Sequence, residues 1–371
     1  MDHPLHPVKK GTVKLLPGLF RQRFDLNRKY MLSLKTENLL QNHYLEAGLW
    51  SPAHRLGDIH WGWESPSCQL RGHFLGHWLS AAAAIAANTG DQEIKGKADH
   101  IVGELARCQQ ENGGEWVGSI PEKYLDWVVR GKPVWAPHYT LHKTLMGLWD
   151  MYAVGGNTQA LEVLVNWARW FHRWSGRFSL AQMDDILDAE TGGMLEVWAN
   201  LYGLTGEREH LELVQRYDRR RLFDPLIAGQ DVLTNMHMNT TIPEVHGAAR
   251  AWEVTGDPRW RQIVDAYWLT NYSQQSIGSM ALFRLAKSRW EIENEGFNEA
   301  KTRHGMEHIC HHNANALLVG WLLLLLGLVI ERLYRHCFLH RGSHPRITAA
   351  DLAWRLLIAL ARPPTRAGPE P

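Results

Sequence analysis

A repeated turn constrains the fold of this chain more than any other sequence feature: one helix ends at a glycine and the next begins directly after it. The four turns are Thr89-Gly90-Asp91, Gly155-Gly156-Asn157, Thr205-Gly206-Glu207 and Thr255-Gly256-Asp257. Glycine can end a helix in the left-handed conformation. The Asp or Asn that follows can accept hydrogen bonds from the first N–H groups of the next helix, and Glu207 complements its dipole. The repeat therefore predicts a series of helical hairpins.

The segments that flank these turns have the apolar periodicity of amphipathic helices. After the last turn, one helical stripe contains Trp260, Ile263, Val264, Tyr267 and Trp268. Strand-like alternation is nearly absent. Two-helix units that repeat about every fifty residues predict an all-α fold. Such units can close into an α/α toroid or remain an open solenoid, and the spacing alone does not distinguish the two.

The hairpin pattern stops near residue 268, and a different kind of sequence follows. We expect residues 1–310 to form the hairpin domain and residues 311–371 to form a divergent tail. Residues 316–330 are an unbroken apolar run, which predicts a buried helix or, alternatively, a short membrane anchor. Residues 362–371 are rich in proline, which predicts disorder.

Composition excludes several classes of protein. The chain has 40 Lys and Arg against 39 Asp and Glu, so it lacks the basic surface expected for binding nucleic acid or anionic lipid. Its first residues contain no apolar run of signal-peptide length, and its 4 cysteines form no C-x-x-C pair. These features predict a cytoplasmic protein. The 18 tryptophans predict core packing or, for some rings, stacking on sugars.

The segments between hairpins are long and rich in Gly, Pro, His and Trp, which indicates a functional face. Four polar clusters stand in them, at residues 61–77, 134–143, 188–196 and 235–243. His73 and His77 are one helical turn apart, as are His138 and His142, but no H-E-x-x-H metal motif is present. Each cluster precedes a predicted hairpin helix, so we expect all four to converge at one mouth of the domain. Neutral His, Asn and Thr side chains pair well with sugar hydroxyls.

Several stretches of the chain match known family motifs in the same order. They are WESPSCQLRGHFLGHWLSA, KPVWAPHYTLHK, TGGMLEVWANLY and HMNTTIPEVHGAAR. The chain thus resembles, over roughly residues 10–268, the non-reducing-end β-L-arabinofuranosidase family of glycoside hydrolases. The resemblance implies an α/α toroid that removes terminal L-arabinofuranose from a glycan with retention of configuration.

The resemblance also implies a set of site residues. By their position in matching motifs, His142 and His237 correspond to the family's sugar-contacting histidines. Trp63, Trp135 and Asn239, from the same clusters, are further candidate contacts with carbohydrate. In the family, a zinc-bound cysteine thiolate attacks the sugar and a glutamic acid protonates the leaving group.

The chain departs from the family pattern in its last third. It has neither the Glu-x-Cys nor the Cys-Cys pair that supplies the family's zinc ligands, and we expect it to lack the family's β-sandwich domains. Gly305-Met306-Glu307 resembles the family's Gly-x-Glu stretch, which makes Glu307 the candidate acid. Cys310, among several histidines, is the candidate metal ligand, although this stretch could equally be a frameshifted tail.

We therefore expect an incomplete toroid from a truncated family member. Three interpretations follow: an active glycoside hydrolase, a catalytically inactive sugar-binding toroid, and a non-enzymatic helical scaffold.

Overall fold

The computed structural model describes residues 9–49, 58–233, 235–267, 326–327 and 329–330. The chain divides into two compact units, residues 1–269 and 270–371. The helices of the first unit are α1 (Leu19–Ser33), α2 (Thr36–Glu46), α3 (His73–Thr89), α4 (Gln92–Glu111), α5 (Lys123–Val129), α6 (Pro137–Ala153), α7 (Thr158–Gly176), α8 (Leu180–Ala189), α9 (Met194–Thr205), α10 (Arg208–Arg216), α11 (Arg220–Ile227), α12 (Met238–Thr255) and α13 (Pro258–Tyr267). The described residues contain no strand, so the predicted all-α fold is confirmed.

Four helix pairs are the hairpins that the glycine turns predict. They are α3–α4, α6–α7, α9–α10 and α12–α13, and the two helices of each pair pack against each other. Gly90, Gly156, Gly206 and Gly256 all have φ between 65° and 74°, in the left-handed region that glycine adopts without strain. The predicted turn positions are therefore confirmed.

Three of these turns share one hydrogen-bonding pattern, in which a threonine precedes the glycine. Thr89 Oγ1 donates to the carbonyl of Ile85 at 2.7 Å and accepts from the N–H of Asp91 at 3.3 Å. Thr205 and Thr255 make the equivalent bonds at their own turns. The Asp91 carboxylate then accepts two N–H groups of the first turn of α4, at 3.1 and 3.2 Å. Each turn thus satisfies groups that a helix end leaves unpaired.

The hairpins form an inner and an outer layer of helices, the arrangement of hairpins in an α/α toroid. In the inner layer α3 packs on α6, α6 on α9, and α9 on α12; in the outer layer α4 packs on α7, and α7 on α10. The inner helices approach each other closely at Gly76 of α3. A Cβ atom at this position would lie 1.9 Å from the carbonyl oxygen of Lys143 on α6, so only glycine fits there.

Among the described residues, some tryptophans are buried in the core and others are largely exposed. The buried ones, together with aliphatic side chains, fill the core of the helical layers; they are Trp78, Trp116, Trp167, Trp170, Trp174, Trp198 and Trp260. Trp61, Trp63 and Trp135 are more than half exposed, in the segments that lead into α3 and α6. Core packing accounts for the first group, whereas Trp63 and Trp135 of the second group line a cavity.

Several predictions lie outside the described residues. They concern the domain boundary at residue 310, the disorder at 362–371 and most of the apolar run at 316–330. No helix within the described part of the chain has the length and apolarity needed to span a membrane.

Candidate functional site

The N-terminal ends of inner helices surround a cavity of about 580 Å³. The four polar clusters of the sequence all contribute to its lining. The lining residues are Trp63, Leu70, His73, Trp135, Ala136, Tyr139, Leu187, Asp188, Ala189, Glu190, Gly192, Arg219, Asn235, Met236, His237, Asn239, Thr240 and Thr241. Loops that precede successive hairpins therefore converge on one space, as connections on the same face of stacked hairpins should.

The cavity brings together four of the five residues that we expected to contact carbohydrate. Trp63, Trp135, His237 and Asn239 all line it, and all four are exposed. His142 is not among the lining residues, although we expected it to face the same cavity as His237. The reason lies in its place on α6, one helical turn beyond His138, where the backbone of the segment that leads into α9 covers the ring.

The His142 imidazole is buried against Gly193. A Cβ atom at position 193 would lie 2.6 Å from Cε1 of the ring, so glycine is required for this contact. Burial, helped by the charges of Lys143 and His77, lowers the pKa of His142 to about 3, and the ring is therefore neutral. Neither ring nitrogen has a hydrogen-bond partner within the described residues.

A carboxylate caps the inner helix α3. Glu64 accepts hydrogen bonds from the N–H of Gly72 at 2.7 Å and from the N–H of Phe74 at 3.1 Å. Its carboxylate also lies 2.7 Å from Nδ1 of His73, which lines the cavity. Burial acts to raise the pKa of Glu64, but His73 and the two backbone donors outweigh it, so the pKa is lowered and the group is ionised.

A second carboxylate caps α6 in the same way. Glu190 accepts from the N–H of His138 at 2.5 Å and from the N–H of Tyr139 at 2.9 Å, and it lies 3.2 Å from Nδ1 of His138. The opposite ring nitrogen of His138 lies 3.1 Å from the hydroxyl of Tyr217. The positive ends of two inner helices are thus neutralised by the protein itself before any ligand arrives.

Arg219 and Asp188, which line the cavity, form a polar cluster with the buried Glu244 behind them. Arg219 donates to Asp188 at 2.7 Å and to Glu244 at 3.0 Å, and Glu244 is 3% exposed. Burial raises the pKa of Glu244 to about 8, against the opposing charge of Arg219 and with support from the negative charges of Asp188 and Glu190. Glu244 is therefore mostly protonated at neutral pH, and its Oε2 has no partner in the described structure.

The sequence contains a signal for the two capping glutamates that its motifs do not reveal. Neither Gly72 nor Ala136, at the N-caps of α3 and α6, has a side chain that can accept a hydrogen bond. Two long inner helices without a local cap need an acceptor from elsewhere. Glu64 and Glu190 stand in the polar clusters and are therefore candidates for that role, although the sequence does not indicate which helix each of them caps.

The described residues do not fit a zinc-thiolate centre. They contain no group of three or more His, Cys, Asp or Glu side chains that could hold a metal ion. Cys108 is fully buried in the core, where burial raises the pKa of its thiol to about 12, and Cys68 is partly buried. Glu307 and Cys310, the candidate acid and metal ligand, both lie outside the described residues.

Comparison with known proteins assigns the family. The family model described as β-L-arabinofuranosidase, GH127 catalytic domain, matches residues 12–301. Compared with individual curated proteins, the sequence has no significant match. The matched region covers more than half of the chain and includes every loop that lines the cavity. The chain therefore belongs to the family of β-L-arabinofuranosidase GH127 catalytic domains, glycoside hydrolases built on a helical toroid.

Proposed function

We propose that the cavity binds the terminal β-L-arabinofuranosyl unit of a glycan. The observation that carries the proposal is the presence of His237 and Asn239 in one cavity with two exposed indoles, Trp63 and Trp135. Sugar hydroxyls both donate and accept hydrogen bonds, which imidazole and amide groups can match. The flat indoles suit the apolar C–H faces of a sugar ring. Membership of the β-L-arabinofuranosidase family supports L-arabinofuranose as the sugar.

The charges of the cavity support a neutral ligand. Arg219 is the only Lys or Arg side chain among the described lining residues, and Asp188 and Glu244 hold it. The N-terminus of α6, which could otherwise attract an anion, is occupied by Glu190. The carboxylates would therefore repel a phosphorylated or uronic sugar, because no free cation offsets them. An uncharged pentose carries no charge to be repelled.

Calorimetric titration with methyl β-L-arabinofuranoside tests this proposal. We expect saturable binding that His237→Ala weakens by about 1–3 kcal/mol, because a hydrogen bond to the sugar is lost. His100→Ala, at an exposed position on α4, is the matched control and should bind like the original protein. Absence of binding, or equal loss in both variants, would contradict the proposal and leave the helical scaffold as the better interpretation.

Turnover is a separate question, and we propose that it is very poor. Retaining hydrolysis in the family needs a zinc-held thiolate, and this sequence contains neither the Glu-x-Cys nor the Cys-Cys pair that supplies the zinc ligands. Of the described cysteines, Cys108 is buried and protonated and is therefore unsuited to that role. The chain would then be a sugar-binding relative of the active hydrolases. Release of arabinose from β-L-arabinofuranosides should stay close to the uncatalysed rate. Rapid turnover that disappears in both Cys310→Ser and Glu307→Gln would contradict this and establish an active glycoside hydrolase with a different metal or nucleophile site.

A further inference from the structure

Positive charge is concentrated near the start of the described chain. Residues 9–33 contain seven Lys and Arg against one Asp, so this stretch carries a net charge of +6 in a chain whose net charge is +1. The remaining residues are therefore acidic overall. The even balance of the whole chain predicts no surface for anionic lipid, but it hides this local excess.

The same stretch exposes large apolar side chains. Every described residue from 12 to 23 is exposed, and Leu16 and Phe20 are 80% and 77% exposed. The others are Val13, Leu15, Leu19, Leu26 and Tyr30. We call residues 12–30 the basic apolar segment. Contiguous apolar side chains left in water lose the stabilisation of burial and are typical of an interaction site.

The outward face of α1 combines both kinds of side chain. Leu19, Leu26 and Tyr30 follow each other at intervals of seven and four residues, so they share one stripe of the helix, and all three are exposed. The same periodicity places Arg23 on one side of the stripe and Lys29 on the other. An apolar stripe between two rows of cations is the pattern of a helix that lies in a membrane interface.

Three of the cations have charge to spare. Arg21 is paired with Asp25 on the same helix, at 3.0 Å. Lys14, Arg23 and Lys29 are exposed, and none of them forms an ion pair with a carboxylate of the described residues. They can therefore interact with anionic groups of another surface.

The hairpins hold the segment at both ends. Before it, the N–H of Gly11 donates to Oδ1 of Asn88 at 3.2 Å, and Nζ of Lys10 donates to the carbonyl of Ala153 at 2.9 Å. After it, Met31 is buried in the core. Asn88 and Ala153 stand at the C-terminal ends of α3 and α6, whereas the cavity lies at the N-terminal ends of inner helices.

We propose that the basic apolar segment attaches the protein to the surface of an anionic membrane. Its apolar side chains enter the boundary between headgroups and acyl chains, and its cations meet the lipid phosphates. An acidic protein surface would pair with the cations but would leave the interleaved apolar side chains in water. Because the segment is tied to the ends of α3 and α6 that lie away from the cavity, the attached protein keeps its cavity open to the aqueous phase.

Vesicle flotation of the full chain tests this proposal. One set of vesicles contains phosphatidylcholine alone, and the other contains phosphatidylcholine and phosphatidylglycerol in a ratio of about two to one, which supplies the negative surface potential. We expect the protein to float with the anionic vesicles and to remain unbound with the neutral ones. Added salt should weaken the binding, because it screens the attraction between the cations and the lipid.

The first variant removes charge. Lys14→Gln, Arg23→Gln and Lys29→Gln together should weaken binding to the anionic vesicles roughly a hundredfold, since each cation near such a surface contributes about fivefold. The matched control changes three exposed cations on α5 and directly after it, with the same change in net charge. It combines Lys123→Gln, Arg130→Gln and Lys132→Gln and should bind like the original protein.

The second variant removes apolar surface and keeps every charge. Leu16→Ser, Leu19→Ser and Leu26→Ser together should weaken binding at least about tenfold, because three buried apolar side chains are lost from the membrane. Its control replaces three exposed leucines of other helices, Leu45, Leu180 and Leu204, by serine and should bind like the original protein. Circular dichroism of each variant shows whether the helical fold is intact.

The outcomes separate a membrane from other partners. Failure of the original protein to float with anionic vesicles, or equal binding to both sets, would overturn the proposal. Undiminished binding of the serine variant would also overturn it, because charge alone would then hold the protein and an acidic protein would be the better partner. Loss of binding in both segment variants, with both controls unaffected, supports the proposal. None of these results depends on whether the cavity binds a sugar.

Discussion

Replacing Glu244 by glutamine should make the protein more stable, and increasingly so as the pH rises. The carboxyl group of Glu244 is buried, bonded to Arg219 through one oxygen and unpaired in the described structure at the other. Burial raises its pKa from 4.5 to about 8. The folded protein therefore binds this proton more tightly than the unfolded chain does, and stability falls as the pH rises from about 4.5 to about 8.

The magnitude follows from the size of the shift. One pKa unit corresponds to about 1.4 kcal/mol. The raised pKa of Glu244 therefore lowers the free energy of unfolding by roughly 1 kcal/mol at pH 5 and by roughly 3 kcal/mol at pH 7. Glutamine has nearly the same shape and no proton to lose, so Glu244→Gln removes this dependence. The stability advantage of the variant should therefore grow by about 2–3 kcal/mol between pH 5 and pH 7.

Urea denaturation, followed by far-ultraviolet circular dichroism across this pH range, measures the effect. Glu253→Gln is the matched control because Glu253 stands on the same helix, is more than a third exposed and pairs with Arg250 at 2.7 Å. The difference in the free energy of unfolding between Glu253→Gln and the original protein should change with pH by no more than about a few tenths of a kcal/mol. A constant difference between Glu244→Gln and the original protein would refute the reasoning, since it would mean that Glu244 ionises normally in the folded state.

The remaining predictions concern stability and are checked by the same denaturation assay. Gly76→Ala should destabilise the fold by more than about 3 kcal/mol, because a Cβ atom there overlaps the backbone carbonyl of Lys143. Gly96→Ala, at an open position on α4, is the control and should not destabilise the fold. Asp91→Ala should cost about 1–2 kcal/mol through loss of the α4 cap and of the ion pair with Arg28, whereas Asp91→Asn keeps the cap and should cost less.

The hairpins could be predicted from the sequence because their determinants are local. A glycine at the left-handed position, a threonine before it and an acidic or amide residue after it all act within three residues, as at Gly90 and Gly256. The convergence of Trp63, Trp135 and His237 could also be predicted, since loops at the same end of stacked hairpins must lie near each other.

The remaining features of the site depend on contacts between distant residues. Glu190 caps α6 through the N–H of His138, which lies 52 residues earlier, and nothing in the segment of Glu190 indicates which helix it caps. The burial of Glu244 follows from the packing of α12 against other helices, which sequence periodicity does not specify. His142 shares a helical face with His138 and was expected at the cavity, but its exposure depends on how closely the Gly193 segment approaches α6.

The cap formed by Glu190 changes how the repeats of this protein can fold. In a simple repeat protein, neighbouring repeats contact each other only through helix faces and can fray one at a time from the ends. Here an N–H group in the first turn of α6 donates to Glu190, and this residue reaches α6 only after the chain that follows α8 has folded. The second hairpin therefore cannot reach full stability before the segment leading into the third is in place. Because the same carboxylate forms part of the cavity wall, a ligand that orders this segment should also protect the start of α6 against amide hydrogen exchange.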